Sequence, residues 1–232
     1  MSATPHRLAG YSELRGEGLE IGAFNHPAEL PTGCRVRYFD VMAVDEARRR
    51  FPEMDPNCFV TPDFLGDLDR DGLASFEDRS YSFVILNHVL EHVANPIAVL
   101  REVCRLVRKG GFLVLSVPDK NFTFDRARDV TTWEHLFREY LEGVREVTDE
   151  HYMDFLTKVA PEIFEDPDRD IPHDLRRVRA RHEHAHVWTS DSFKAFLIRV
   201  FRLIRIPATC VYESVGSENG IEYFAAWRLR SN

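Results

Sequence analysis

The chain has 232 residues, 44% of them hydrophobic and 29% charged, which is ordinary globular composition and argues against disorder. Its formal net charge of −8 excludes a protein that coats nucleic acid, because phosphate contacts need a basic surface. No run of about eighteen apolar residues occurs, so no membrane-spanning helix is expected, and the length suits a single α/β domain over 1–232.

The N-terminal stretch MSATPHRLAGYSEL lacks the charged-then-apolar layout of a secretory signal. Cys34, Cys58, Cys104 and Cys210 form no CxxC pair and read as free thiols of a reducing compartment. The expected location is therefore cytoplasmic.

Residues 1 to about 16 form a lead-in with a short helix at most. Gly18–Gly22 (GLEIG) is the first strand and its exit, and Arg35–Asp40 is the second, ending on an acid. Between them AFNHPAELPTGC has room for a loop and a short helix, broken early by Pro27 and Pro31. A helix is expected over Met42–Phe51, a third strand at Phe59–Thr61, a turn at Phe64–Leu68 and a short helix at best over Asp71–Phe76.

The clearest signal runs from Tyr81 to Asp119. Phe83–Leu86 is an unbroken apolar run, as in a strand buried on both faces. Asn95 offers a helix cap with Pro96 at the first helical position. Ile97, Leu100, Val103, Cys104 and Val107 then recur at helical spacing, opposite Arg101, Glu102, Arg105 and Arg108. Lys109 and Gly110 are the expected helix end, and Phe112–Val117 is a second buried strand closed by Pro118. Together these make a βαβ unit.

From Lys120 to His186 the pattern changes to charge and aromatics, with helices expected over Thr131–Glu142 and Thr148–Val159 and an acidic break, EIFEDPDRDIPHD. So long a connection is usually functional, and a helical lid or insertion over 120–188 is the expectation. The competing reading is a dimerisation arm, which would make the protein a homodimer. Thr189 caps a helix to Phe201, and the strands Arg202–Ser214 and Ile221–Leu229 close as an antiparallel hairpin on the signal Asn219-Gly220.

These residues resemble class I S-adenosylmethionine-dependent methyltransferases with a methyltransferase-11-type domain. SFVILNHVLEHVANPIAVLREVCRLVRKGGFLVLSVPD carries the likeness, and PDKNFTFDRARDVTTWEHLFREY with HVWTSDSF is similar to members in polysaccharide and natural-product gene clusters. The resemblance implies a doubly wound, seven-stranded, mostly parallel α/β sheet ending in an antiparallel hairpin, with a helical insertion after the fifth strand. It implies S-adenosylmethionine as cofactor. Glu20 would meet the methionine ammonium, and Gly22, Ala23, Phe24 and Asn25 would form the first loop. Asp40 and Val41 would hold the ribose, Asp67 and Leu68 the adenine, and Asn87 and His88 the sulfonium end. The first loop departs from the family pattern, since Phe24 and His26 stand where later glycines belong.

Methyl transfer needs alignment and sometimes a base, a task suited to histidine near neutral pH. His88 and His92 follow the fourth strand. His182, His184 and His186 alternate in HEHAHVW, so an extended chain would point them one way, as a grip on an acceptor hydroxyl or, with Asp119 or Asp125, on a metal. The base candidates are His88, His92, His184 and His186, with no metal assigned. Asp119, Phe122 and Trp188 are the expected substrate contacts. Phe124, Trp133 and Tyr140 either wall a pocket or form the insertion's own core, and the arginines of DRARD and DLRRVRARHE are expected on solvated faces. The expected activity is O-methylation of a small molecule or sugar by single in-line displacement, assisted by a histidine. The alternative is an inactive methyltransferase fold serving as a binding or scaffold partner.

Overall fold

Phe83, Val84, Ile85 and Leu86 are wholly buried, as a strand covered on both faces must be. They form the middle of β4 (Tyr81–Asn87) in the computed structural model, which describes residues 5–70 and 72–230. Before β4 come α1 (Pro5–Tyr11), β1 (Gly16–Ile21), β2 (Cys34–Asp40), α2 (Val44–Arg50) and β3 (Phe64–Leu65). After it come α3 (Pro96–Leu106) and β5 (Val107–Pro118), then an insertion holding α4 (Trp133–Glu142), α5 (Asp149–Val159) and α6 (Ile171–Ala180). The chain ends with α7 (Ser190–Leu203), β6 (Ala208–Ser214), α8 (Gly216–Asn219) and β7 (Glu222–Leu229).

All seven strands join one sheet in the order β3-β2-β1-β4-β5-β7-β6. The first five pair in parallel, and β7 runs antiparallel between β5 and β6. This is the doubly wound fold expected from the sequence. The order reverses between β1 and β4, so a crevice opens at their carboxyl ends.

Alternation along the strands divides the core. Val84, Leu86, Leu113, Leu115 and Val117 face the side covered by α3 and α7, while Phe83, Ile85, Phe112 and Val114 face Tyr11 and Leu14. Asn95 accepts a hydrogen bond from the Ala98 amide at 3.0 Å, so the sequence-predicted cap is present. Thr189 and Ser192 exchange side-chain and backbone bonds as a capping box at the start of α7.

Several elements differ from expectation. No helix forms between β1 and β2; Pro27 and Pro31 leave that segment a loop, whose Ala28 and Leu30 pack on the sheet. The third strand is Phe64–Leu65, where a turn was expected, because Phe64 pairs beside Phe39. Residues 72–76 are turns, and residues 1–4 of the lead-in and Asp71 lie outside the described residues. Helix α3 stops at Leu106, and Gly110, though left-handed (φ 76°), turns the chain inside the start of β5. Strands β6 and β7 are antiparallel but joined by α8, with Gly220 as its left-handed cap. The whole of α6 is unforeseen: Asp170 caps it by accepting from the His173 amide. None of the described helices is long and apolar enough to cross a membrane.

Asn95 also donates from Nδ2 to the Glu139 carbonyl at 3.2 Å, tying α3 to α4 while fully buried. Asn95→Ala loses both bonds, and urea denaturation should show a loss of about 1–3 kcal/mol. A change within experimental error would mean that neither bond holds the insertion.

Candidate active site

A cavity of about 320 Å³ opens where β1, β2 and β4 end. Gly22 sits at its base with φ 71°, and a Cβ there would lie 2.6 Å from Val89 Cγ2, so only glycine lets the backbone come this close. Phe24 adopts φ 46°, a left-handed conformation that is strained for a bulky residue. Its ring packs edge-on against Phe51 and Phe59, each at 5.0 Å, which holds the turn that a glycine would otherwise ease.

The carboxylates at the strand ends have different surroundings. Asp40 lines the cavity and accepts from the Met42 amide at 3.2 Å; burial raises its pKa. Asp67 lines the same cavity and accepts from the Asp69 amide at 2.9 Å. Asp69, pushed up to about 6 by burial, takes the Ala94 amide on both oxygens. Val41 and Leu68 supply apolar wall beside these acids.

Four expected cofactor contacts lie off the cavity wall. Glu20 is buried and turned away, its carboxylate accepting from the Ala28 amide at 3.0 and 3.1 Å; burial pushes it up to about 7. It braces the first loop. Asn87 donates to the Tyr11 hydroxyl at 2.7 Å and accepts from Ser116 Oγ. Asn25 accepts from the neighbouring His26 ring, and Ala23 is packed into the interior.

His88 and His92 do line the cavity. His88, at φ 53°, places Nε2 2.7 Å from Glu222 Oε2. Burial alone would raise the Glu222 pKa, but hydrogen bonds from His88 and Arg7 hold it well below the usual carboxylate range. With Glu222 ionised, the shared proton belongs to His88 Nε2. His92 donates from Nδ1 to the His182 carbonyl, and burial lowers its pKa well below the usual value, so it is neutral.

The three alternate histidines do not share one environment, and His182, at φ 51°, breaks the extended pattern at its first position. His182 lines the cavity with Arg181 and Glu183. His184 Nδ1 donates to Asp125 Oδ2 at 2.6 Å and its ring meets His92 at 4.8 Å, just off the cavity wall. His186 is buried against His135 and His151 and does not reach the cavity.

The expected substrate contacts also move. Asp119 is buried, its carboxylate taken by the Ser190 amide and hydroxyl and by the Asn121 amide. Trp188 belongs to the main core, edge-on to Phe193 and tilted against Phe196. Phe122 is exposed on the outer surface beside Gly216. Phe124 is exposed too, while Trp133 and Tyr140 pack on the main core, so none of these aromatics walls the cavity. Arg128, expected in solvent, is buried between Asp125 and Asp154 at 3.0 and 2.8 Å. Sequence reasoning missed Arg181 and Glu183, which only the return of the insertion brings to the cavity, and Glu222, from the last strand.

A family model described as a methyltransferase domain matches residues 1–199. The chain belongs to that methyltransferase family. It is thus an S-adenosylmethionine-dependent enzyme, and the cavity fits the cofactor: Gly22 allows close backbone approach, and two acids flank apolar wall. No curated protein matches the methyltransferase. Among solved structures it is similar to a possible histamine N-methyltransferase from Thermotoga maritima, with TM-score 0.51, 14% identity and coverage of 97% of this chain and 88% of that one. A complex of the Haloferax volcanii Trm112 methyltransferase activator with a putative methyltransferase gives TM-score 0.52 at 14% identity, with coverage of 97% and 88%. The CurJ carbon methyltransferase gives TM-score 0.48 at 16% identity; 95% of this chain spans only 51% of that one. At such identities the Thermotoga and Haloferax likenesses show the fold alone.

Beside the cavity the Glu91 carboxylate is wholly buried, 3.8 Å from both His88 Nδ1 and His92 Nε2, and without a hydrogen-bond partner. Burial pushes its pKa from 4.5 up to about 8. The folded state thus keeps a proton that the unfolded chain releases, and stability falls as pH rises from about 4.5 to about 8. Glu91→Gln removes this contribution. Its urea midpoint should fall less steeply than the wild-type midpoint between about pH 5 and 8, and parallel curves would show that Glu91 titrates normally.

Proposed function

We propose that this methyltransferase acts on a hydroxyl of a small molecule or saccharide, with His88 as the base. The carrying observation is the His88–Glu222 pair at the cavity end of β4. Bound S-adenosylmethionine supplies an electrophilic methyl group. Asp40 would accept from the ribose hydroxyls and Asp67 from the adenine amino group, with Leu68 and Val41 as apolar cover for the nucleoside. His88 Nδ1 accepts the hydroxyl proton as the acceptor oxygen becomes nucleophilic, and ionised Glu222 stabilises the imidazolium that results. His92, neutral and held by the His182 carbonyl, positions the acceptor. The insertion covers the site through Arg181, His182 and Glu183. The net charge of −8 favours a small acceptor over nucleic acid.

Two variants divide binding from chemistry. Asp40→Ala should weaken S-adenosylmethionine and its demethylated product by roughly 1.5–3 kcal/mol in calorimetry; unchanged affinity would remove Asp40 from the site. His88→Ala should bind cofactor nearly as wild type, yet transfer labelled methyl to saccharide or phenol acceptors roughly 10²–10⁴-fold more slowly. Retained turnover would remove His88 as the base.

A further inference from the structure

Away from the cavity, three histidines and one carboxylate converge inside the insertion. His135 and Glu139 stand one turn apart on the same face of α4, His151 projects from α5, and His186 comes from the extended segment that returns to the core. One ligand atom from each lies within 4.8 Å of the others. His135 Nε2 and His151 Nε2 approach Glu139 Oε1 at 3.0 and 3.2 Å, and each other at 3.0 Å. His186 Nε2 lies 3.7 Å from Glu139 Oε2.

Hydrogen bonding alone leaves this cluster unsatisfied. Glu139 Oε2 and both ring nitrogens of His186 are buried without a partner. Such atoms are rare in folded proteins and point to a missing ligand. The facing nitrogens of His135 and His151 can share only one proton comfortably, while a cation between them would take a lone pair from each. We propose that His135, Glu139, His151 and His186 form a tetrahedral site for a divalent transition-metal ion, zinc by its ligand chemistry, that staples the insertion together.

Three imidazoles and one carboxylate suit zinc, and four protein ligands with no open position mark a structural ion. Thr148 Oγ1, 2.9 Å from His151 Nδ1, orients that ring, and Asn95 anchors the α4 backbone at Glu139 by donating to its main-chain carbonyl. Arg138, which is exposed and donates to His135 Nδ1 at 3.2 Å, has to release that nitrogen when Nε2 turns to the ion. The ion would join α4 and α5 to the segment that also carries Arg181, His182 and Glu183 to the cavity.

The test uses the full chain, stripped with a chelator and reloaded with zinc or with cobalt(II). Wild type should bind a single zinc ion by elemental analysis and gain on the order of 10 °C in Tm over the stripped protein. Cobalt(II) should give the intense visible bands of tetrahedral coordination. His151→Ala and Glu139→Gln should lose the stoichiometric ion, while His173→Ala, at an exposed histidine on α6, should keep it. If the ligand variants do not fold, the wild-type cobalt spectrum and Tm shift decide. A weak six-coordinate spectrum with no Tm shift would overturn the site, as would folded His151→Ala that binds zinc like wild type.

Discussion

The Glu222 carboxylate is completely buried, and four donors reach it: the His6 ring at 2.7 Å, Arg7 through Nε and Nη2 at 2.7 and 2.5 Å, and His88 at 2.7 Å. An ion that deep costs several kcal/mol to desolvate and persists only when fully paired. Through this one group β7 fixes α1 on the sheet and holds His88 in its left-handed conformation at the end of β4. The shape of the cavity beside His88 follows from it. The antiparallel last strand thus does more than close the sheet, because it delivers the carboxylate that orients the ring.

The insertion is tied to the same region by backbone rather than by charge. The amides of Ala185 and His186 both donate to the Glu91 carbonyl, at 2.7 and 3.0 Å. That anchor sets the direction of the whole returning segment. Upstream of it the chain passes the cavity, and downstream it enters the core at Trp188. Arg128 reinforces it by donating to the His184 and Ala185 carbonyls from a buried position. The insertion also has a core of its own, built on Tyr152, Phe155, Leu156 and Val178. A small core pinned at a few points is the arrangement that a further cross-link would stabilise most.

Local signals in the sequence were reliable where the physics is local. The apolar run of β4, the Asn95 cap with Pro96 behind it, and the Thr189 cap each depend on a few neighbouring residues, and each forms as read. The third strand failed because its two residues are strand only by virtue of pairing with β2. The helix expected after β1 failed because two prolines outweigh the family pattern. Alternation in HEHAHVW misled for a similar reason. The left-handed His182 breaks the extended chain at the first of the three, and no composition rule flags a histidine for that role.

The sequence by itself determined the fold class, the end of the second strand at Asp40 and the place of Gly22, because hydrophobic period and glycine's freedom act within one element. Only the tertiary structure showed Glu20 bonded to the Ala28 amide, Asp119 bonded to Ser190 and Trp188 packed in the main core. It alone brought Glu222 to His88 across the sheet, and His135 and His151 to His186. Which buried polar group meets which depends on how distant segments pack, and pairing energies of that kind leave no periodic trace along the chain.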